Sequence, residues 1–163
     1  MIAFETAVQI ERPIDEVFAY VSDPGNLPHW NSAVQAVRKT STGEITVGST
    51  YSMERELPTG RAVNELEIVA HERPREFAIR TTSGPTPFHY RYRFSAERGG
   101  TVVHLDAVVE LEGLLAQLAR RALKKGVDDN LAALRQILEA APLHTPPGRS
   151  AGANEPTEDR RRT

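Results

Sequence analysis

The chain of 163 residues contains no cysteine. Disulfides, thiolate nucleophiles and cysteine-ligated zinc sites are therefore excluded. No apolar run approaches the ~20 residues of a membrane-spanning helix, so no integral membrane association is expected. The opening MIAFETAVQIERP lacks a basic stretch followed by an apolar core and is not read as a signal peptide. The expected location is cytoplasmic. Charge of one sign is also missing. The formal net charge is −2, and no basic stripe marks a nucleic-acid footprint. G-x-G-x-x-G, Walker and G-x-S-x-G motifs are absent, and the five histidines show no metal-ligand spacing. No metal and no cofactor are expected.

What is present is a series of short alternating segments. Phe4, Val8 and Ile10 fall on one side of a first strand, with Glu5, Gln9 and Glu11 on the other. Pro13 suits the first turn of a helix, followed by Asp15 and Glu16, which the helix dipole favours there. Ser22-Asp23-Pro24-Gly25 stops that helix, and Asp23 is placed to cap a second short one ending near Trp30. About six antiparallel strands then follow: 34–40, 49–57, 61–71, 76–83, 88–97 and 101–111. Glycine and proline separate them.

Two hairpins allow an internal test of register. A loop at Pro58-Thr59 pairs Tyr51 with Leu66, Met53 with Asn64 and Arg55 with Ala62. A loop at Gly99-Gly100 pairs Phe94 with Leu105, Tyr92 with Ala107, Tyr90 with Val109 and Phe88 with Leu111. It also sets Arg93 opposite Asp106 and His89 opposite Glu110. Apolar residues then meet apolar residues, and opposite charges meet on the other face.

The segment 113–141 reads as one long helix with two apolar stripes. Leu114, Leu115, Leu118 and Ala122 form the first, and Leu123, Val127, Leu131, Leu134 and Leu138 the second. The stripes are rotated against each other around Lys124-Lys125-Gly126, which predicts a bend or loosened turn near Gly126. From Thr145 the chain has no apolar residue larger than alanine. Residues 142–163 are therefore expected to be a disordered polar tail, with Arg160-Arg161-Arg162 as a solvated basic end. Residues 1–141 form one domain.

Strands with one dry face need a cover, and the long helix is the available one. The fold class is α+β: a curved antiparallel sheet of about six to seven strands wrapped on a C-terminal helix, with two short helices after strand 1. The chain resembles the SRPBCC (START-like) superfamily of helix-grip proteins, and among them the bacterial polyketide cyclase/dehydrase type. The resemblance rests on Ile10-Glu11-Arg12-Pro13-Ile14-Asp15-Glu16-Val17-Phe18 after the opening strand, and on Asp23 and Trp30 within DPGNLPHW. Gly48-Ser49, Pro74 and Leu131…Leu134…Ile137-Leu138-Glu139 extend it to about residue 140. These motifs are structural rather than catalytic. The resemblance implies a deep, mostly apolar cavity for a lipid, polyketide or aromatic molecule.

The expected cavity-lining residues are Trp30, Tyr51, Met53, Arg55, Asn64, Leu66, Phe77, Ile79, Thr81, Tyr90, Tyr92, Leu105 and Ala107, with Leu118 and Ala122 from the helix. Three of the four tyrosines fall on the inward face, where each phenol either packs with a protein partner or orients a ligand. Arg55 is the odd inward residue. A buried guanidinium needs a carboxylate, a rim position or an anionic or carbonyl group on a ligand. His104 and Asp106 share a face, but it is the outer one, and a catalytic pair is not expected. The leading expectation is a non-enzymatic carrier or sensor of a hydrophobic small molecule. A polyketide aromatase/cyclase or dehydratase using Arg55 with Tyr90 or Tyr92 is the second. A protein-interaction module of the chaperone-activator type is the third. A homodimer through the exposed strand face is possible.

Overall fold

The computed structural model describes residues 1–141; the polar tail expected from the sequence lies outside them. The elements are β1 (Ile2–Ile10), α1 (Ile14–Val21), a 3-10 turn (Pro24–Asn26), α2 (Leu27–Trp30) and β2 (Val34–Lys39). They are followed by β3 (Thr50–Leu57), β4 (Gly60–Glu72), β5 (Glu76–Ser83), β6 (Phe88–Glu97), β7 (Gly100–Val109) and α3 (Leu114–Ala140). The seven strands form one antiparallel sheet in the order β1-β7-β6-β5-β4-β3-β2. It is a meander from β2 to β7, with β1 returning to pair with β7. This is the helix-grip arrangement expected from the sequence.

Local chemistry explains the elements. Asp23 accepts a hydrogen bond from the Gly25 N–H at 2.9 Å, starting the turn into α2. The β3–β4 hairpin has the register read from the sequence: Tyr51↔Leu66, Met53↔Asn64 and Arg55↔Ala62.

The β6–β7 hairpin differs by two residues. Its loop is Arg98-Gly99, with φ of 51° and 79°, and Gly100 pairs with Glu97 as the first residue of β7. Positive φ at both central residues is the type I′ geometry that matches strand twist. Gly100 is needed inside the strand because a Cβ there would lie 2.6 Å from the Ile10 carbonyl oxygen. The true partners are therefore Phe94↔Val103, Tyr92↔Leu105, Tyr90↔Ala107 and Phe88↔Val109. A shift of two keeps every side chain on its face. Arg93 still reaches Asp106 diagonally, with Nη2–O distances of 2.9 and 3.1 Å. His89 instead faces Val108 and not Glu110.

The outer face is a polar ladder that includes Arg80–Glu67 at 3.0 Å, Arg91–Glu76 and Arg61–Glu54. Such exposed pairs, screened by solvent, contribute little to stability. The inner face carries the core. Val17, Phe18 and Val21 of α1 are buried, as are Val127, Leu131, Leu134 and Leu138 of α3.

Helix α3 runs unbroken through Gly126; the loosened turn expected there is not present. The reason lies in the first stripe. Leu114 and Leu118 are 90% and 78% exposed, so the helix has no need to roll in order to bury both stripes. The C-terminal half of α3 is fastened instead. Arg12 Nη2 donates to the carbonyls of Glu139 and Ala141, and the Glu11 N–H donates to Glu139 Oε1 at 3.0 Å. The Thr6 hydroxyl donates to Asp128. The last carbonyls of a helix need such donors.

Candidate functional site

Because α3 is held at its C-terminal half, its first half stands off the sheet. A cavity of about 490 Å³ lies between them. The inward face of each strand is thereby divided along its length. On β3, Tyr51 is in the packed core, whereas Met53, Arg55 and Leu57 line the cavity. On β6, Phe94 is core and Phe88, Tyr90 and Tyr92 line. On β7, Leu105 and Ala107 are core, and Val109 and the following Leu111 line. The roof is Ala119, Ala122, Leu123, Gly126, Val127 and Asn130 of α3. The end wall is Val21, Pro24, Leu27 and Trp30 to Val34. The β3–β4 loop (Leu57, Pro58, Thr59) and Thr86 complete it at the loop end of the sheet.

Of the side chains expected from the sequence, Trp30, Met53, Arg55, Phe77, Ile79, Tyr90, Tyr92 and Ala122 come together on this cavity. Tyr51, Asn64, Leu66, Leu105 and Ala107 do not. They are buried in the packed wall, because alternation gives the face of a strand and not the point along it where the helix lifts away. Thr81 is used within the sheet, where its Oγ1 accepts from the Phe88 N–H at 3.0 Å. Leu118 points outward. The roof positions Ala119, Leu123, Gly126, Val127 and Asn130 were missed. Their spacing of three to four residues around Ala122 was the available signal.

The floor is an aromatic run along β6. Ring centroids are 4.7 Å apart for Phe88–Tyr90 and 6.5 Å for Tyr90–Tyr92. Trp30 meets Tyr92 edge-on at 6.4 Å, and Phe77 stacks on Tyr92 at 6.0 Å. Arg55 closes the run at the loop end, its guanidinium 5.6 Å from the Phe88 centroid.

Arg55 is held by neutral acceptors. Its Nε donates to Asn64 Oδ1 at 2.9 Å, and its Nη2 donates to the carbonyls of Pro85 at 2.9 Å and Thr86 at 3.3 Å. Among the described residues no carboxylate pairs with it. Burial pulls its pKa below the ordinary value, and the neighbouring Tyr90 opposes this.

Burial pushes the Tyr90 phenol up to about 12, against the pull of Arg55. Burial also raises Tyr92, and Tyr90 adds to the effect. Among the described residues the lining contains no aspartate, glutamate, lysine or histidine. Its two asparagines spend their carbonyl oxygens locally: Asn31 Oδ1 accepts from the Ala33 N–H at 3.1 Å, and Asn130 Oδ1 from the Ser32 N–H at 3.3 Å. The polar groups that face the cavity are thus biased towards donors. Among the described residues no group of three histidines or carboxylates could hold a metal ion.

The family profile for polyketide cyclase / dehydrase and lipid transport matches residues 1–139. No curated protein sequence matches the chain. Solved structures are similar in fold. A START superfamily protein from Mycobacterium smegmatis is 13% identical with a TM-score of 0.72, over 85% of this chain and 98% of that one. The di-domain ARO/CYC StfQ of the steffimycin biosynthetic pathway is 15% identical with a TM-score of 0.69, over 85% of this chain and 50% of that one. A protein from Deinococcus radiodurans is 19% identical with a TM-score of 0.64, over 85% of this chain and 98% of that one. With the profile spanning nearly all of the described residues, the chain belongs to the polyketide cyclase / dehydrase and lipid transport family.

Proposed function

We propose that the protein is a carrier or sensor of an apolar small molecule that bears one carboxylate or carbonyl-rich end. The observation that carries this reading is Arg55. Among the described residues it is the one charged side chain lining a mostly apolar and aromatic cavity, and only neutral acceptors hold it. A half-buried cation without a counter-charge is costly, and an anionic or strongly accepting ligand group relieves that cost. The Tyr90 and Tyr92 phenols and the Asn31 and Asn130 amides add donors. The aromatic floor supplies the apolar contact that binds most of the ligand.

The test is a titration of the purified protein with a long-chain carboxylic acid and with its methyl ester. It is followed by Trp30 fluorescence and checked by native mass spectrometry. Saturable binding of the acid, weaker for the ester, is expected. Absence of saturable binding for a broad panel of apolar acids, lipids and aromatic compounds would overturn the reading.

A second reading is an aromatase/cyclase or dehydratase. Its support is the adjacency of Arg55 and Tyr90, which could polarise a carbonyl and supply a proton, together with the fold likeness to StfQ. Against it, the raised phenols are poor proton shuttles near neutrality, and the lining contains no carboxylate or imidazole. If Arg55→Ala and Tyr90→Phe left turnover of a poly-β-ketone unchanged, this second reading would fail.

A further inference from the structure

Among the described residues, the exposed large apolar side chains include Met1, Val47, Val63, Leu114 and Leu118. Met1 lies at the end of the sheet where Leu111 borders the cavity, and Leu114 and Leu118 lie on the helix that follows. Met1 is placed there by its amino group, which donates to the Leu111 carbonyl at 3.1 Å. Leu114 and Leu118 lie one turn apart on the first half of α3. At 100° per residue they share a stripe with Arg121 and Lys125, on the side opposite Ala119 and Leu123, which roof the cavity.

This half-helix is also an exception in charge. Residues 114–127 hold Arg120, Arg121, Lys124 and Lys125 and no acidic residue, in a chain of net charge −2. Lys124 and Lys125 are each drawn back to an aspartate at 2.7 Å, Asp128 and Asp129 respectively. Arg120 and Arg121 have no carboxylate partner among the described residues. Glu110 and Glu112 are the nearest acidic residues before the helix, and Gly113 separates them from it.

We propose that the outer face of the first half of α3 docks on the surface of an anionic lipid bilayer. Leu114 and Leu118 enter the boundary between headgroups and acyl chains, and Arg121, which has no carboxylate partner among the described residues, meets the headgroups. Apolar residues on one stripe flanked by cations are the pattern of a helix lying in a membrane interface. A second copy of the chain fits less well. The two leucines present at most a few hundred Å², against about 800 Å² per partner in a stable interface. The helix that docks is the roof of the cavity, so docking brings the cavity close to the phase where an apolar ligand is most concentrated. That consequence rests on the carrier reading; the docking itself does not.

The experiment is sedimentation of the full-length protein, with residues 142–163 intact, in two vesicle preparations. One is phosphatidylcholine alone; the other is equal parts phosphatidylcholine and phosphatidylserine. Wild type is expected to pellet with the mixed vesicles at low salt and to stay in solution with phosphatidylcholine. The double variant Leu114→Ser, Leu118→Ser should partition about tenfold less or weaker still. Arg120→Gln with Arg121→Gln should flatten the salt dependence. Both pairs are exposed, so the melting temperature should hold.

Three outcomes overturn the proposal. The first is failure of wild type to pellet with either preparation. The second is a serine variant that pellets like wild type, which moves the contact to another segment such as Arg160–Arg162. The third is a wild-type dimer that the serine variant abolishes, which makes the face a self-association surface. Ligand titration by Trp30 fluorescence without vesicles reports on the cavity alone, so failure of docking and failure of the carrier reading are separate results.

Discussion

Arg55 and Asn64 are joined across the β3–β4 pair by a 2.9 Å hydrogen bond from Nε to Oδ1. Asn64 is fully buried, and its amide donates onward to the carbonyls of Ser83 at 3.1 Å and Pro85 at 2.9 Å. One side chain therefore orients the cavity cation and ties the β5–β6 loop to the neighbouring strands. Asn64→Leu should remove three hydrogen bonds and leave Arg55 Nε without its acceptor. A loss of about 2–3 kcal/mol is expected, read from urea unfolding. The affinity for a carboxylate ligand should fall with it.

The Gly84 position makes a sharper test of the same network. Its φ is +99°, and an added Cβ would lie 2.4 Å from the Val63 carbonyl oxygen and 2.6 Å from Asn64 Nδ2. Gly84→Ala is expected to destabilise by more than about 1 kcal/mol, combining backbone strain with a displaced Asn64. Gly126→Ala is the counterpart. Nothing lies within 4 Å of the new methyl, so it should stabilise α3 by about 0.5–1 kcal/mol. Thermal melts of the two variants should move in opposite directions.

Arg55→Leu separates charge from shape. Affinity for an apolar acid should fall about tenfold to a hundredfold, in line with loss of a charge-assisted contact of about 1.5–3 kcal/mol. Affinity for the methyl ester should change little. Equal losses for acid and ester, measured by Trp30 fluorescence, would show that Arg55 shapes the wall and does not read charge.

The buried phenols predict alkaline sensitivity. Burial raises Tyr51 from 10.0 to about 12, with Asp23 adding to the shift, and raises Tyr90 to about 12. A phenol with a raised folded pKa keeps its proton longer in the folded state than in the unfolded chain. The unfolded state therefore binds fewer protons between pH 10 and 12, and stability falls as pH rises through that window. The stabilising contribution is fully present below pH 10. Each such tyrosine adds up to about 1.4 kcal/mol per pH unit to the slope. Tyr90→Phe should flatten the curve of stability against pH above 10 and remove one late step from the tyrosinate absorbance titration.

The Arg12 side chain fastens the end of α3. Arg12→Ala should expose the carbonyls of Glu139 and Ala141 and cost about 1–2 kcal/mol. Faster amide exchange should be confined to the last two turns of the helix and the adjoining end of β1. Uniform acceleration across the sheet would show that the contact is not local.

Much of the architecture was legible in the residues. Period-two alternation named the inward face of nearly every strand. The Pro58-Thr59 turn set the β3–β4 register because short loops leave few pairings open. At the β6–β7 turn the glycine pair drew the loop one residue too far along. The residue that takes positive φ beside Gly99 is Arg98, and Gly100 is reserved for the close approach of the Ile10 backbone. That approach involves a distant strand, so local turn chemistry could not reveal it.

The oddness of Arg55 was visible from the sequence, since a charge interrupted an apolar face. Its neutral partners were not visible, because Asn64, Pro85 and Thr86 meet it only once three strands are side by side. Which inward residues face open space was likewise a tertiary decision. Tyr51 and Tyr90 sit on the same face of one sheet. One is packed and the other lines the cavity, because α3 is fastened at Glu139 and Asp128 and stands off the sheet over its first half. Sequence patterning determines which side of a strand is dry. The tilt of the helix above it, set by contacts far apart in the chain, decides where that dry side becomes a binding cavity.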